Sequence, residues 1–313
     1  MKHVRCISPV LGFLLVLAGC GRPDPMGREW LKTLDAPFAP RFEAASAVFN
    51  DELWLVGGQD ESKRFLRDVW FTRDGFYWEK AEDGPFTGRF GHGLAVVGDK
   101  MYLVSGYDET LHPQADVWST SGGHHWTLVT QSAPFGPRVG AAVFSWQGHL
   151  WVMGGVDVKL QYKNDLWWSP DGVKWRMAAE PSGFEPRAQC AWGILGGRLF
   201  VTGGTDGKQY FNDVWSTADG VRWTQETSSA SFTPRAFARV TTCDRRLWLS
   251  GGTNGEQSMS DLWSSLDGKR WSKISAGGAF SPRWGHSFES FDQRLWLLGG
   301  NDGNCRNDVW RSP

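Results

Sequence analysis

The stretch "NDVWSTADGVRW", Asn212–Trp223, sets two tryptophans eight residues apart on either side of an Asp-Gly pair. The phrase recurs along the chain, and its last copy, "NDVWRSP" from Asn307, stops before the second tryptophan. The spacing of the copies is given by the arginine in "PFAPR", "PFTGR", "PFGPR", "GFEPR", "SFTPR" and "AFSPR". Arg41, Arg89, Arg138, Arg187, Arg235 and Arg283 follow one another at steps of 48, 49, 49, 48 and 48 residues. After each arginine come a small-residue strand, a polar turn, an apolar strand ending in Gly-Gly or Ser-Gly, a variable loop, an Asp-Val-Trp or Asp-Leu-Trp strand, an Asp-Gly turn and a final Trp strand.

The second strands, such as "LWLVGG" and "LWLLGG", are continuously apolar, which suits strands buried on both faces. The Asp-Gly pairs at Asp74, Asp171, Asp219 and Asp267 read as tight hairpin turns. Four strands in a unit of about 50 residues match a propeller blade. The missing half of the last copy is at the other end of the chain: "MGREWLKTLDAPF" from Met26 aligns with "DGFYWEKAEDGPF" from Asp74, and Trp30 is the sixth closing tryptophan. The first strand is therefore expected to complete the last blade, giving an all-β, six-bladed propeller with four antiparallel strands per blade over residues 26–313. Sixteen of the 20 tryptophans fall on the repeat and are expected to pack blade on blade, while Trp146, Trp168, Trp192 and Trp284 lie outside it.

Paired glycines after an apolar strand, an arginine opening each unit and aromatics in strands three and four resemble kelch repeats over the whole of residues 26–313. The "[ST]-x-D-G-x-x-W" hairpin also resembles the Asp-box of sialidases in its turn chemistry. In kelch domains the matching arginines line the mouth of the central channel, and some of those domains bind acidic peptides with them. The resemblance thus implies a ring of Arg41, Arg89, Arg138, Arg187, Arg235 and Arg283 available to a ligand carboxylate. An acid after each Gly-Gly (Asp60, Asp108, Asp157, Asp206 and Asp302, with Asn254 in the fifth unit) supports a second reading, in which arginine and aspartate are inter-blade architecture.

The ends of the chain and its charge place it in a cell. The 33 Lys+Arg against 34 Asp+Glu leave no basic field, so no nucleic-acid partner is expected. Residues 1–19 combine a basic head with an apolar run too short to span a bilayer, followed by "LAGC", Leu17–Cys20. This resembles a bacterial lipoprotein signal and implies lipidation of Cys20, a short tether over residues 20–25 and residence in the cell envelope. Gly21 stands where an inner-membrane retention signal would place Asp, which points to the outer membrane. Without residues 1–19 the balance is 31 minus 34, or −3. Cys190, Cys243 and Cys305 allow at most one disulfide.

Alternating strands put the arginine connections and the Gly-Gly loops on one face, here the upper face, and the Asp-Gly hairpins and the N-terminal entry on the lower, membrane-side face. Variable loops on a rigid scaffold are where function concentrates. Tyr107 and Tyr210, with His112, Tyr162 and Phe211, are candidates to stack on a sugar or partner. Three residues after the arginine, alternate units carry His92, Cys190 and His286. These are metal-competent types, but no ligand geometry is evident and no metal or cofactor is expected. With Glu43, the two histidines are also candidate acid–base groups. P-loop, HExxH, GxSxG and dinucleotide motifs are missing. The reading that follows is a monomeric, lipid-anchored binding module for a protein or glycan. The alternative is a sugar-active enzyme such as a kelch-type sialic acid mutarotase or galactose oxidase.

Overall fold

The computed structural model describes residues 26–179, 183–274 and 279–313. The signal segment and Cys20 lie outside these residues, and among the described residues no helix is long and apolar enough to cross a membrane.

Four blades form separate four-stranded antiparallel sheets, with inner strands Gly93–Val97, Ala142–Trp146, Ala191–Leu195 and Arg239–Cys243. The first and sixth blades are joined in one nine-stranded sheet, because the two-residue strand Arg41–Phe42 pairs with Glu52–Asp60 on one side and with Cys305–Arg311 on the other. The fold is thus the expected six-bladed, all-β propeller. Its ring is closed as expected: Leu31 and Lys32 pair with Arg311 and Trp310 of the last blade.

The second strand of each blade is sandwiched between neighbouring blades, and this explains its unbroken apolar run. Leu53, Trp54, Leu55 and Val56 are each no more than 2 % exposed. The two-residue hairpin belongs to the turn between the first and second strands. Phe49 pairs with Glu52, and the intervening Asn50 and Asp51 have φ of 53° and 59°, as a type I′ turn requires. The Asp-Gly connection is not the tight hairpin expected from the sequence. In the first blade it spans the stretch from Thr72 to Glu79, held by backbone N–H donors of Phe76 and Tyr77 to Asp74 Oδ1 and of Gly75 to Thr72 Oγ1.

Candidate functional site

One constellation recurs in all six blades. Each repeat arginine is at most 2 % exposed. It donates two hydrogen bonds of 2.5–3.0 Å to one aspartate: Arg41 to Asp68, Arg89 to Asp116, Arg138 to Asp165, Arg187 to Asp213, Arg235 to Asp261 and Arg283 to Asp308. Its remaining donors go to the carbonyl of the first residue of the Gly-Gly or Ser-Gly pair at 2.8–3.0 Å and to the carbonyl two residues before it at 2.9–3.5 Å. The phenylalanine three residues before the arginine lies 5.2–5.9 Å beneath the guanidinium. That ring meets the outer-strand tryptophan edge to face at 4.8–5.5 Å, and Phe280 finds Trp30 in this way across the ring closure. The same aspartate accepts the indole N–H of the tryptophan two residues on, at 2.7–2.8 Å.

The arginines are therefore inside the blades, with their donors spent, rather than at a solvent-facing mouth. Their partner is the aspartate of the Asp-Val-Trp strand, not the acid after Gly-Gly. The latter acids cap the upper loops instead, as Asp206 does by accepting the N–H of Lys208 and Gln209. Burial alone would raise the carboxyls of Asp68, Asp261 and Asp308, but their arginine hydrogen bonds and charge outweigh it and hold all three below the usual range.

This unit matches a known family. The KLHDC2/KLHL20/DRC7 Kelch-repeats domain matches residues 140–312, just over half of the chain. The chain belongs to this kelch-repeat family. A solved structure titled "Structure of YjhT" superposes with a TM-score of 0.74 at 15 % identity, covering 88 % of this chain and 95 % of that one. At such identity the likeness is one of fold. No curated protein matches the sequence.

Two residues past each arginine, the kelch propeller is drawn together by a closed ring of backbone hydrogen bonds. Glu43 N donates to Gly285 O (2.7 Å), Gly285 to Phe237 (3.3 Å), Phe237 to Gln189 (3.1 Å), Gln189 to Gly140 (2.8 Å), Gly140 to Gly91 (3.0 Å) and Gly91 to Glu43 (3.2 Å). All six residues have φ between 50° and 65°, a conformation that favours glycine. Glycine in three blades also leaves room for side chains from the others. A Cβ on Gly91 would sit 2.9 Å from Glu43 Oε2, and one on Gly140 would sit 2.8 Å from Gln189 Nε2. Gln189 Nε2 donates to Glu43 Oε2 at 2.9 Å, so a strut crosses the channel between opposite blades. Sequence reading missed this ring; the recurring Arg-x-Gly at Arg89, Arg138 and Arg283 was its signal.

Beyond the ring the six inner strands enclose a cavity of about 300 Å³. Arg239, Glu289 and Trp192 line it, with Ser46 donating to Glu289 Oε1 at 2.7 Å. Burial pushes the carboxyls of Glu43 and Glu289 up to about 7 each, against the pull of Arg239.

On the upper face, half-buried aromatic rings of four consecutive blades form a row. Phe237 meets Trp284 (5.1 Å), Trp284 meets Phe42 (5.0 Å), Phe42 meets Phe90 (6.2 Å), and Phe90 meets Phe65 (5.7 Å) and Tyr107 (5.6 Å). Tyr107 thus joins a surface. Tyr210 packs over Gly255 of the next blade's loop, where a Cβ would lie 2.8 Å from its hydroxyl. Of the four tryptophans outside the repeat, Trp284 joins the row, Trp192 lines the cavity, Trp168 meets His149 and Trp146 is buried.

His92 and His286 are buried beside the glycines of the preceding blade, Gly57 and Gly251. Among the described residues no ring nitrogen of His92 or His286 has a hydrogen-bond partner of normal geometry; the Val56 backbone lies near the His92 ring. Burial drives the His92 imidazolium down to about 3 and that of His286 well below the usual range, so both are neutral packing groups. Among the described residues no three His, Cys, Asp or Glu side chains gather as metal ligands. Cys190, Cys243 and Cys305 are free, buried thiols.

Proposed function

We propose that this kelch propeller is a lipid-anchored binding module of the bacterial envelope that recognises a protein or glycan with its upper face. The reading combines residues 1–19 as a lipoprotein signal, Cys20 as the lipidated residue and residues 26–313 as the propeller. The observation that carries it is the aromatic row. The residue after the repeat arginine is Phe42, Phe90 and Trp284 in three adjacent blades but Val139, Ala188 and Ala236 in the others, so the row departs from the repeat. A one-sided patch of partly exposed rings serves a contact, whereas repeat packing needs the same residue in every blade.

The test is capture from envelope extracts and on a glycan array, comparing wild type with Phe42→Ala/Trp284→Ala. The expected result is a bound partner lost in the variant at an unchanged melting temperature. Retained binding would move the contact off this face. Labelled fatty acid incorporated by wild type and not by Cys20→Ser would establish the anchor. A second reading, a sugar-active enzyme, draws on the channel, where Glu43, Arg239 and Glu289 break the repeat; turnover lost in Glu289→Gln would favour it.

A further inference from the structure

Four residues after the repeat arginine, five blades place Ala45, Gly93, Ala142, Ala191 and Ser287 around the channel, and the fifth blade places Arg239. Small residues on five sides leave one guanidinium standing in the space they vacate. Unlike Arg235, it pairs directly with no carboxylate among the described residues, and Glu43 and Glu289 act on it only through their charge. Among the described residues its one hydrogen bond is to Ala238 O at 3.3 Å, and no ion pair comes within 4.0 Å. A guanidinium has five donors in a planar fork and stays charged in proteins. Arg239 therefore has donors to spare in a cavity of about 300 Å³, much larger than one water.

We infer that this cavity is a binding site for a small organic carboxylate, whose two oxygens pair with the Arg239 guanidinium. The bidentate fork is the geometry that guanidinium offers and that its own chain leaves unused. The rest of the wall fits an acid carrying hydroxyls: the side-chain oxygens of Ser46, Gln189, Thr241 and Thr242 can accept from them, the hydroxyl protons of Ser46 and Thr242 being committed to Glu289 and Ile194, and Trp192 and Val143 offer apolar contact. The site lies below the backbone ring and is separate from the aromatic row, so it stands whether or not that row binds a partner.

Binding at this place is linked to protons. The titratable groups around Arg239 are Glu43 on the ring, Glu289 on the sixth blade, Cys190 on the fourth and the buried His92 and His286. The histidines are neutral at pH 7, and burial pushes the Cys190 thiol up to about 11, so neither type changes charge near neutrality. Glu43 and Glu289, both at about 7, are the groups that do. An anion beside them favours their protonated forms, so each bound carboxylate draws in a proton, and one linked proton makes binding about tenfold tighter at pH 6 than at pH 8.

The experiment is titration calorimetry of the full chain in detergent micelles, with gluconate and acetate as carboxylate probes and sorbitol as the neutral control. It is run at pH 6 and pH 8 and in two buffers of different ionisation enthalpy. The expected result is binding of a carboxylate but not of sorbitol, weakened about tenfold at pH 8, with net proton uptake seen as a buffer-dependent heat. Arg239→Gln is expected to abolish binding, and Glu289→Gln to keep it with a smaller pH dependence. The inference is overturned if neither carboxylate binds, if Arg239→Gln binds as wild type, or if the heat does not depend on the buffer. The last measurement needs wild type alone and so survives any folding defect in the variants.

Discussion

In the arginine layer all six blades repeat one set of bonds; two to six residues further along the same segments, in the channel, no two blades carry the same run of residues. Arg235 and Arg239 condense the contrast. Arg235 lies over Phe232 and holds Asp261 with both terminal nitrogens. Arg239, four residues on, has a backbone carbonyl and an open cavity. Repetition here marks architecture, because a bond made six times serves the unit. Departure from it marks places whose residues do not serve closure of the ring.

The contrast breaks first if Arg235→Ala is tolerated. Removing one partner of a buried pair strands Asp261, and a loss of about 3–5 kcal/mol is expected in chemical denaturation. A loss below about 1 kcal/mol would mean that the layer is not what holds the blades. Trp30→Ala tests the same layer at the ring closure. Trp30 is 8 % exposed against Phe280, and its truncation is expected to cost about 3 kcal/mol and to expose the last blade to proteolysis first. An unaltered melting curve would show that the closing strand is dispensable.

Glu43 gives an effect of intermediate size with a definite sign. Its folded-state carboxyl titrates at about 7 against an ordinary value of 4.5. The protonated form is favoured on folding, so its contribution is intact below pH 4.5 and is lost as pH rises through about 7. Wild type should lose on the order of 2–3 kcal/mol between pH 5 and pH 8 relative to Glu43→Gln. Parallel stability curves for the two proteins would remove Glu43 from the account. The smallest effect is expected at Arg239→Met, within about 1 kcal/mol of wild type, since no carboxylate is paired to it and its two carboxyl neighbours neutralise by taking up protons. A loss as large as that at Arg235 would put both arginines in one class.

Much of this was legible in the chain. The period of the arginines, the Gly-Gly strands and the displaced sixth tryptophan at Trp30 led to the blade count and the closure, because they are local patterns repeated six times. The aspartate partner was misassigned since two acids per repeat compete for the role in one dimension. Asp60 is nearer to Arg41 in sequence, but Asp68 reaches the guanidinium because the third strand runs back beside the second. The hairpin was misplaced for a similar reason: Asp-Gly is the stronger turn signal, yet a serine or threonine hydroxyl and the Asp74-type carboxylate stretch that connection into a longer loop.

What the sequence by itself determined is the repeat: its length, its residues, its number and the sharing of the last blade between the two ends. Hydrophobic period and turn chemistry act between near neighbours and can be read along a line. Only the tertiary structure decided which arginines are spent and which is open, and that Glu43 and Gln189, 146 residues apart, meet across the axis. The physical reason is that closure of the ring sets burial and pairing at the channel: a charge's state depends on what the other five blades bring to it.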